Sequence, residues 1–123
     1  MDMGVNMRNQ YEAREQTKLF NLCRLTHKHE FLFHIPNGGS RNKIEAHNLK
    51  LQGVKAGVPD LFYPLPNKKY HGLFIEMKYG KNKPTKNQIE WLDYLNSVGY
   101  LAVVCYSADE AFKLLEKYFK DKV

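Results

Sequence analysis

Hydrophobic residues recur along the chain at helical spacing in some stretches and at strand spacing in others, and this pattern predicts eight elements. Helices are predicted over residues 6–27 and 42–52, after Thr85 up to Gly99, and after Ser107. Strands are predicted over 30–35, 58–63, 73–78 and 101–106. Two consecutive strands followed by a strand–helix–strand unit indicate an α/β fold with a mixed β-sheet flanked by α-helices.

Two of the predicted helices begin with the spacing of a capping box, in which each of two side chains bonds the backbone of the other residue. Thr85 and Gln88 have this spacing, and so do Ser107 and Glu110. We therefore expect both helices to start at these residues.

Burial is predicted for two further elements. The last predicted strand, 101–106, is apolar throughout, which favours a central position in the sheet. In the second predicted helix, Ile44, Leu49 and Leu51 are expected to be partly buried.

Composition narrows the class of protein. The chain has 123 residues, 43% of them hydrophobic, which excludes wholesale disorder and predicts a single domain over 1–123. The N-terminus lacks the apolar run of a signal peptide, and the longest apolar run, 100–106, is too short to span a bilayer. Cys23 and Cys105 lie in apolar stretches and are expected to be buried free thiols in a reducing compartment. We therefore expect a soluble cytoplasmic protein.

The charge balance permits one class of partner. The formal net charge of +6 is compatible with nucleic acid but does not by itself indicate it, because a basic balance is often only a solvated surface.

The predicted strand 73–78 carries the candidate chemistry. Because strand side chains alternate between faces, its three odd-numbered apolar residues share one face, which can pack on a helix. Glu76 and Lys78 project together from the other face. Taken alone, this Glu-x-Lys pattern is more often a surface ion pair than a catalytic pair.

Asp60 lies on the preceding predicted strand, one turn before Glu76. If the two strands pair as a hairpin, both carboxylates come close together at one end of it. Two carboxylates supply the oxygen ligands that Mg²⁺ and Mn²⁺ prefer, and such an ion can neutralise a scissile phosphate and activate a water. A neighbouring lysine such as Lys78 can orient that water or stabilise the charge that develops on phosphorus.

Four segments, in their order and spacing, resemble the VRR-NUC (virus-type replication-repair nuclease) domain of the PD-(D/E)XK nuclease superfamily. They are 33–41 (FHIPNGGSR), 53–61 (GVKAGVPDL), 74–78 (FIEMK) and 88–95 (QIEWLDYL) with Gly99 after it. The bare Pro-Asp…Glu-x-Lys pattern is weakly specific, whereas the four segments together are strongly specific. The resemblance implies a restriction-endonuclease-like core.

The resemblance also implies roles for the residues of the candidate site. Asp60 and Glu76 would be metal ligands for Mg²⁺ or Mn²⁺, and the carbonyl of Met77 would share the ion. Lys78 would be the catalytic lysine. Gln88 matches a glutamine that the family places near the active site, in addition to its expected role in the capping box.

A further acid is implied on the first helix, where the family has a glutamate that usually lies four residues before a glutamine. Glu12 and Gln16 have that spacing, which makes Glu12 a candidate catalytic residue and metal ligand. Glu15 is its competitor, because both glutamates lie near the same face of the predicted helix. An ordinary solvated glutamate is the alternative for each.

Two basic segments are candidates for contact with DNA phosphates. One is a glycine-rich turn that can bring backbone N–H groups and a guanidinium close to an anion, and the other follows the Glu-x-Lys strand. The candidate residues are Asn37, Gly38, Gly39 and Arg41 in the turn, and Lys81, Lys83 and Lys86 after the strand. Without the resemblance, an ordinary turn and generic surface lysines would explain both segments.

Together these expectations describe a metal-dependent DNA endonuclease that hydrolyses phosphodiester bonds. The resemblance implies 5′-phosphate and 3′-hydroxyl ends, as is usual in the superfamily. The size of the chain is similar to that of stand-alone, phage-type members of the family, which resemble Holliday-junction resolvases and act as homodimers. We therefore expect branched DNA as substrate, a homodimer, and a phage-infected or prophage-carrying bacterial host. The alternatives are a nicking, flap or other nuclease of the superfamily, and a non-catalytic basic DNA-binding module that keeps the fold.

Overall fold

In the computed structural model, which describes residues 3–36 and 42–123, four helices and four strands follow one another in the predicted order. The helices are α1 (Met3–Thr26), α2 (Lys43–Leu51), α3 (Lys86–Ser97) and α4 (Ala108–Phe119), and the strands are β1 (Phe33–His34), β2 (Leu61–Tyr63), β3 (Leu73–Met77) and β4 (Leu101–Cys105). Across these described residues, no helix combines the length and the apolar character that crossing a bilayer requires.

The four strands form one sheet in the order β1-β2-β3-β4. β1 with β2 and β2 with β3 are antiparallel, whereas β3 and β4 run parallel, so the sheet is mixed. Helices lie on both of its faces: α1 and α4 pack together on one face, and α3 packs on the other. The predicted α/β fold, a mixed sheet flanked by helices, is therefore confirmed.

The expectation that strand 101–106 is central is wrong, because β4 lies at one end of the described sheet. Its apolar character has another cause. Ala102 packs with Leu92 and Leu95 of α3, while Cys105 lies in the core on the side of α4. Helices on both faces therefore bury β4, and a second neighbouring strand is not needed to explain its sequence.

β1 is shorter than the strand predicted over 30–35. His27 and His29 have left-handed backbone conformations, with φ of 53° and 57°. The N–H of Leu32 donates to the carbonyl of His29 across a turn. Because this turn takes up the preceding residues, only Phe33–His34 pairs with β2.

Two apolar clusters hold the sheet between the helices. The larger one lies between the sheet and the pair α1 and α4. Its buried members include Leu19, Cys23, Leu61, Leu73, Ile75, Met77, Cys105, Leu115 and Tyr118. The apolar face of β3 is thus packed on helices, as predicted from its alternating sequence.

Both cysteines are buried free thiols, which confirms that part of the prediction. Burial raises the pKa of Cys105 to about 12, and burial is also the main cause that raises the pKa of Cys23. Since the thiolate is the reactive form, both side chains act as small apolar core residues at neutral pH.

α2 is more exposed than its sequence predicts. Ile44 and Leu51 are 73% and 72% exposed, and only Leu49 is partly buried. The helix is held locally at its start, where the side chain of Asn42 accepts hydrogen bonds from the N–H groups of Ile44 and Glu45. The expected burial of Ile44 and Leu51 is therefore wrong, because α2 lies at the surface and contains no buried residue.

The two predicted helix starts differ in detail. Thr85 and Gln88 form the complete capping box. Ser107 accepts from the N–H of Glu110 at 3.1 Å, but the carboxylate of Glu110 accepts from the N–H of Tyr106. Both helices begin at the predicted caps, although Glu110 reaches one residue further back than a capping box requires.

Candidate functional site

Two carboxylates come together where β2 meets β3. The antiparallel register pairs Leu61 with Ile75, and one step further along the strands Asp60 lies opposite Glu76. Asp60 Oδ2 accepts a 2.8 Å hydrogen bond from the N–H of Met77, which fixes this carboxylate beside Glu76. The hairpin expected from the sequence thus brings the two acids to one end of the strand pair.

Glu76 is almost completely buried, with 3% of its surface exposed. Burial, and next the negative charge of Asp60, raise the pKa of Glu76 to about 9, although the positive charge of Lys78 acts in the opposite direction. Its Oε1 atom is buried and has no hydrogen-bond partner within the described parts of the chain. With a pKa of about 9 the group is protonated at neutral pH while no cation is bound, and a bound cation would replace the proton and satisfy the buried oxygen.

Lys78 extends into the same buried space, with 6% of its surface exposed. Its Nζ lies 3.9 Å from Oε2 of Glu76, and its backbone N–H donates to the carbonyl of Cys105 at 2.9 Å. The bond to Cys105 extends the pairing of β3 with β4 and fixes the backbone of the lysine. Because both charged side chains are buried, a surface ion pair does not explain this Glu-x-Lys sequence.

Gln88 joins the first turn of α3 to Asp60 and Glu76, which we call the acidic pair. Its Oε1 accepts a 2.9 Å hydrogen bond from the N–H of Thr85, which is its part of the capping box. Its Nε2 donates to Oε2 of Glu76 at 3.3 Å. The side chain therefore has the capping role and the contact with the site at the same time.

Of the two candidate acids of α1, Glu12 is the one that lies near Glu76. The charge of Glu12 contributes to the raised pKa of Glu76, which places it near the acidic pair. Glu15 instead accepts a 2.9 Å hydrogen bond from the N–H of Ala108, in the first turn of α4. Within the described ranges, no group of three or more His, Cys, Asp and Glu side chains could hold a metal ion. The side-chain oxygens brought together are those of Asp60 and Glu76, with Glu12 nearby.

The sequence pattern does not single out Asn82, yet this residue contacts the site. Its Nδ2 donates a 2.8 Å hydrogen bond to Oε1 of Glu12 and so ties α1 to the loop that follows β3. In the same loop, the ring of Tyr79 stacks on Tyr11, with centroids 4.6 Å apart and planes at 15°. The sequence signal is weak because one asparagine and one tyrosine in a lysine-rich loop have no distinctive spacing.

The candidate DNA-contacting residues fall into two groups. The exposed lysines after β3 lie in the loop and at the start of α3, and we call them the basic rim. The basic rim consists of Lys81, Lys83 and Lys86. Asn37, Gly38, Gly39 and Arg41 lie outside the described residues.

Comparison with known proteins identifies the family. The sequence model of the VRR-NUC domain matches residues 5–109, which is more than half of the chain. The chain belongs to the VRR-NUC family. A solved structure titled VRR_NUC domain protein has 33% sequence identity to this VRR-NUC chain and a TM-score of 0.77, over 89% of this chain and 88% of that one. No curated protein matches the chain.

Family membership settles the class of fold. The resemblance drawn from four sequence segments is confirmed, and this VRR-NUC chain has a nuclease-type fold. The geometry places the acidic pair, Lys78 and Gln88 together at one end of β3.

Proposed function

We propose that the chain is a DNA endonuclease that hydrolyses phosphodiester bonds with the help of Mg²⁺ or Mn²⁺. The observation that carries the proposal is the close set of Asp60, Glu76 and Lys78, in which two adjacent carboxylates lie beside a buried ammonium group. Membership of the VRR-NUC family supports the class of reaction. An ion pair with a purely structural role would not require a second carboxyl group. It would also not explain why an oxygen of Glu76 is buried without a partner in the described residues.

The residues at this end of β3 fit a hard divalent cation. Asp60 and Glu76 would provide carboxylate ligands, and the carbonyl of Met77 a third oxygen. Glu12 would complete the set from α1. The buried Oε1 of Glu76, which lacks a partner among the described residues, supports this fit. When bound, the ion supplies charge neutralisation at the phosphate and lowers the pKa of a coordinated water.

Lys78 would act on the attacking water. Its backbone is fixed by the bond to Cys105 and its side chain is buried, so the ammonium group needs little reorganisation to reach the reacting atoms. It would donate to the attacking oxygen or to the phosphate oxygen on which negative charge develops. Gln88 would keep Oε2 of Glu76 oriented through its 3.3 Å hydrogen bond. Cleavage would leave 5′-phosphate and 3′-hydroxyl ends.

The basic rim would contact the phosphates that flank the cut. Its lysines are exposed and follow closely after Lys78 in the chain, so they can neutralise a strand that lies across the acidic pair. We infer branched DNA as the preferred substrate and a homodimer as the active form, because two sites related by a twofold axis can cut two strands of one junction.

A panel of DNA substrates tests this proposal. With Mg²⁺ or Mn²⁺, the chain is expected to cut a four-way junction faster than flap, nicked or linear duplex DNA, and EDTA should stop the cutting. The logarithm of the binding constant should fall linearly with the logarithm of the salt concentration, with a slope of about −0.9 per neutralised phosphate. Faster cutting of linear duplex than of the junction would contradict the preference for branched DNA. Binding without any cutting would favour a non-catalytic DNA-binding module.

Replacing Asn82 with alanine is expected to raise the Mn²⁺ concentration required for half-maximal cleavage by about tenfold. The change removes the 2.8 Å hydrogen bond that holds Glu12, and outer partners of metal ligands contribute about 10- to 100-fold to metal affinity or activity. A metal titration of the cleavage rate measures the effect. The control is Asn48→Ala, at an exposed position of α2, which should leave the metal dependence unchanged. An unchanged requirement in Asn82→Ala would argue against Glu12 as a metal ligand.

A further inference from the structure

A row of aromatic residues crosses three strands of the sheet. In the strand register, Phe33 of β1 pairs with Phe62 of β2, and Phe62 pairs with Phe74 of β3. Residues that face one another in this way lie on the same face of the sheet. Phe33, Phe62 and Phe74 therefore form a continuous line of rings, which we call the aromatic row.

The rings of the aromatic row are held in fixed orientations. Phe62 stacks on Phe74, with centroids 4.2 Å apart and planes at 19°. Phe33 meets Phe62 edge to face, with centroids 5.8 Å apart and planes at 82°. Gly72 leaves the room for this packing, because a Cβ at that position would lie 2.9 Å from the ring of Phe62. The three rings thus pack against one another in a continuous line.

The aromatic row runs from the core into solvent. Phe74 packs in the small cluster beneath α3. Phe62 is partly exposed, and Phe33 has 46% of its surface exposed although it lies on the same face. The outer end of the aromatic row is therefore accessible from solvent.

The aromatic row lies next to the acidic pair. Asp60 precedes Phe62 by two residues, and Glu76 follows Phe74 by two residues. Because side chains two apart in a strand share a face, the acids and the rings lie side by side, roughly 7 Å apart along each strand. The acids and the aromatic row are therefore close enough for one DNA strand to contact both.

We propose that the aromatic row, through its exposed end at Phe33, stacks on an unpaired base of the DNA next to the phosphate that is cut. This inference rests on the proposed nuclease function and names what distinguishes its substrate. Paired bases in a duplex are covered on both faces by their neighbours, whereas an unpaired base can leave the stack and offer a face to an aromatic ring. The basic rim supplies the complementary charge for the backbone of the same strand.

Binding in EDTA tests the inference independently of cleavage. The probes are a fully paired duplex and the same duplex with one unpaired 2-aminopurine. The wild-type chain is expected to bind the second probe more tightly and to change the 2-aminopurine fluorescence. Phe33→Leu should reduce the ratio of the two affinities by about tenfold, as expected for the loss of one stacked base. Phe33→Trp should leave this ratio unchanged. Phe31→Leu is the matched control, since Phe31 is 71% exposed but lies outside the row.

The possible outcomes separate the inference from the proposed function. Equal losses in Phe33→Leu and Phe31→Leu, or no change in either, would overturn the aromatic row as a base-stacking surface. A change of molecular mass for Phe33→Leu in light scattering, with an unchanged 2-aminopurine signal, would also overturn it and would assign the row to contact with a second copy. Failure of the wild type to cut any DNA, with the stacking signal intact, would refute the nuclease and leave the stacking surface standing.

Discussion

Replacing Lys78 with methionine is expected to lower the rate of DNA cleavage by about 10²- to 10⁴-fold while DNA binding survives, a loss typical of a residue that acts on a proton or on developing charge. Methionine keeps most of the apolar stem of the buried side chain and removes only the ammonium group. Single-turnover cleavage and fluorescence anisotropy measure the two properties. Lys81→Met, in the exposed basic rim, is the matched control and should weaken binding more than it slows cutting.

The acidic pair is expected to give a different signature. Asp60→Asn and Glu76→Gln should both abolish detectable cutting, because each removes a charged ligand of the proposed ion. Wild-type activity in Lys78→Met, Asp60→Asn or Glu76→Gln would refute the proposed mechanism.

The melting temperature of Glu76→Gln shows whether its loss of cleavage comes from the missing carboxylate or from unfolding. Burial raises the pKa of Glu76 to about 9, above its ordinary value of 4.5. A raised folded-state pKa means that the stability of the metal-free chain falls as the pH rises from about 4.5 towards 9. Glutamine carries no such charge, so the variant in EDTA at pH 8 should melt no lower than wild type. A clearly lower melting temperature would show that the loss of cutting comes from unfolding.

Replacing Gly57 with alanine is expected to destabilise the fold by about 2–5 kcal/mol. Gly57 has a φ of 91°, and a Cβ there would lie 2.6 Å from the backbone carbon of Asn87 in the first turn of α3. The left-handed conformation costs about 1–2 kcal/mol for a residue with a Cβ. Pushing two backbone segments apart adds about 1–3 kcal/mol. Urea unfolding measures the sum.

Gly53 provides the control for that prediction. Its φ of 100° is similar, but a Cβ there meets nothing within 4 Å. Gly53→Ala should therefore show only the cost of the backbone conformation, about 1–2 kcal/mol. Equal destabilisation by the two substitutions would mean that the close approach to Asn87 contributes nothing.

The order of elements and the acidic pair follow from local rules that the sequence displays. Strand alternation separates Glu76 and Lys78 from the apolar face of β3, and residues 64–72 connect β2 to β3, which pair as an antiparallel hairpin. These rules act between near neighbours in the chain. They bring Asp60 and Glu76 together independently of how the helices pack.

Contacts between distant parts of the chain are not predictable in this way. Asn82 and Glu12 are 70 positions apart, and their hydrogen bond depends on how α1 packs beside the loop after β3. The choice between Glu12 and Glu15 likewise depends on Ala108, which takes the carboxylate of Glu15. Periodicity places both glutamates near one helix face, but only tertiary packing decides their partners.

The exposed apolar residues of α2 and the edge position of β4 have the same explanation. An apolar residue in a sequence indicates a preference for burial, yet the available partner surface decides whether burial occurs. Helices cover both faces of β4, whereas Ile44 and Leu51 of α2 remain exposed to solvent.

The double role of Gln88 has a consequence for local opening. One amide group closes the first turn of α3 through Thr85 and holds Oε2 of Glu76. Fraying of that turn and release of Glu76 are therefore coupled through one side chain. In native-state hydrogen exchange, a ligand that orders Glu76 should slow the exchange of the amide protons at the start of α3, although it touches none of them.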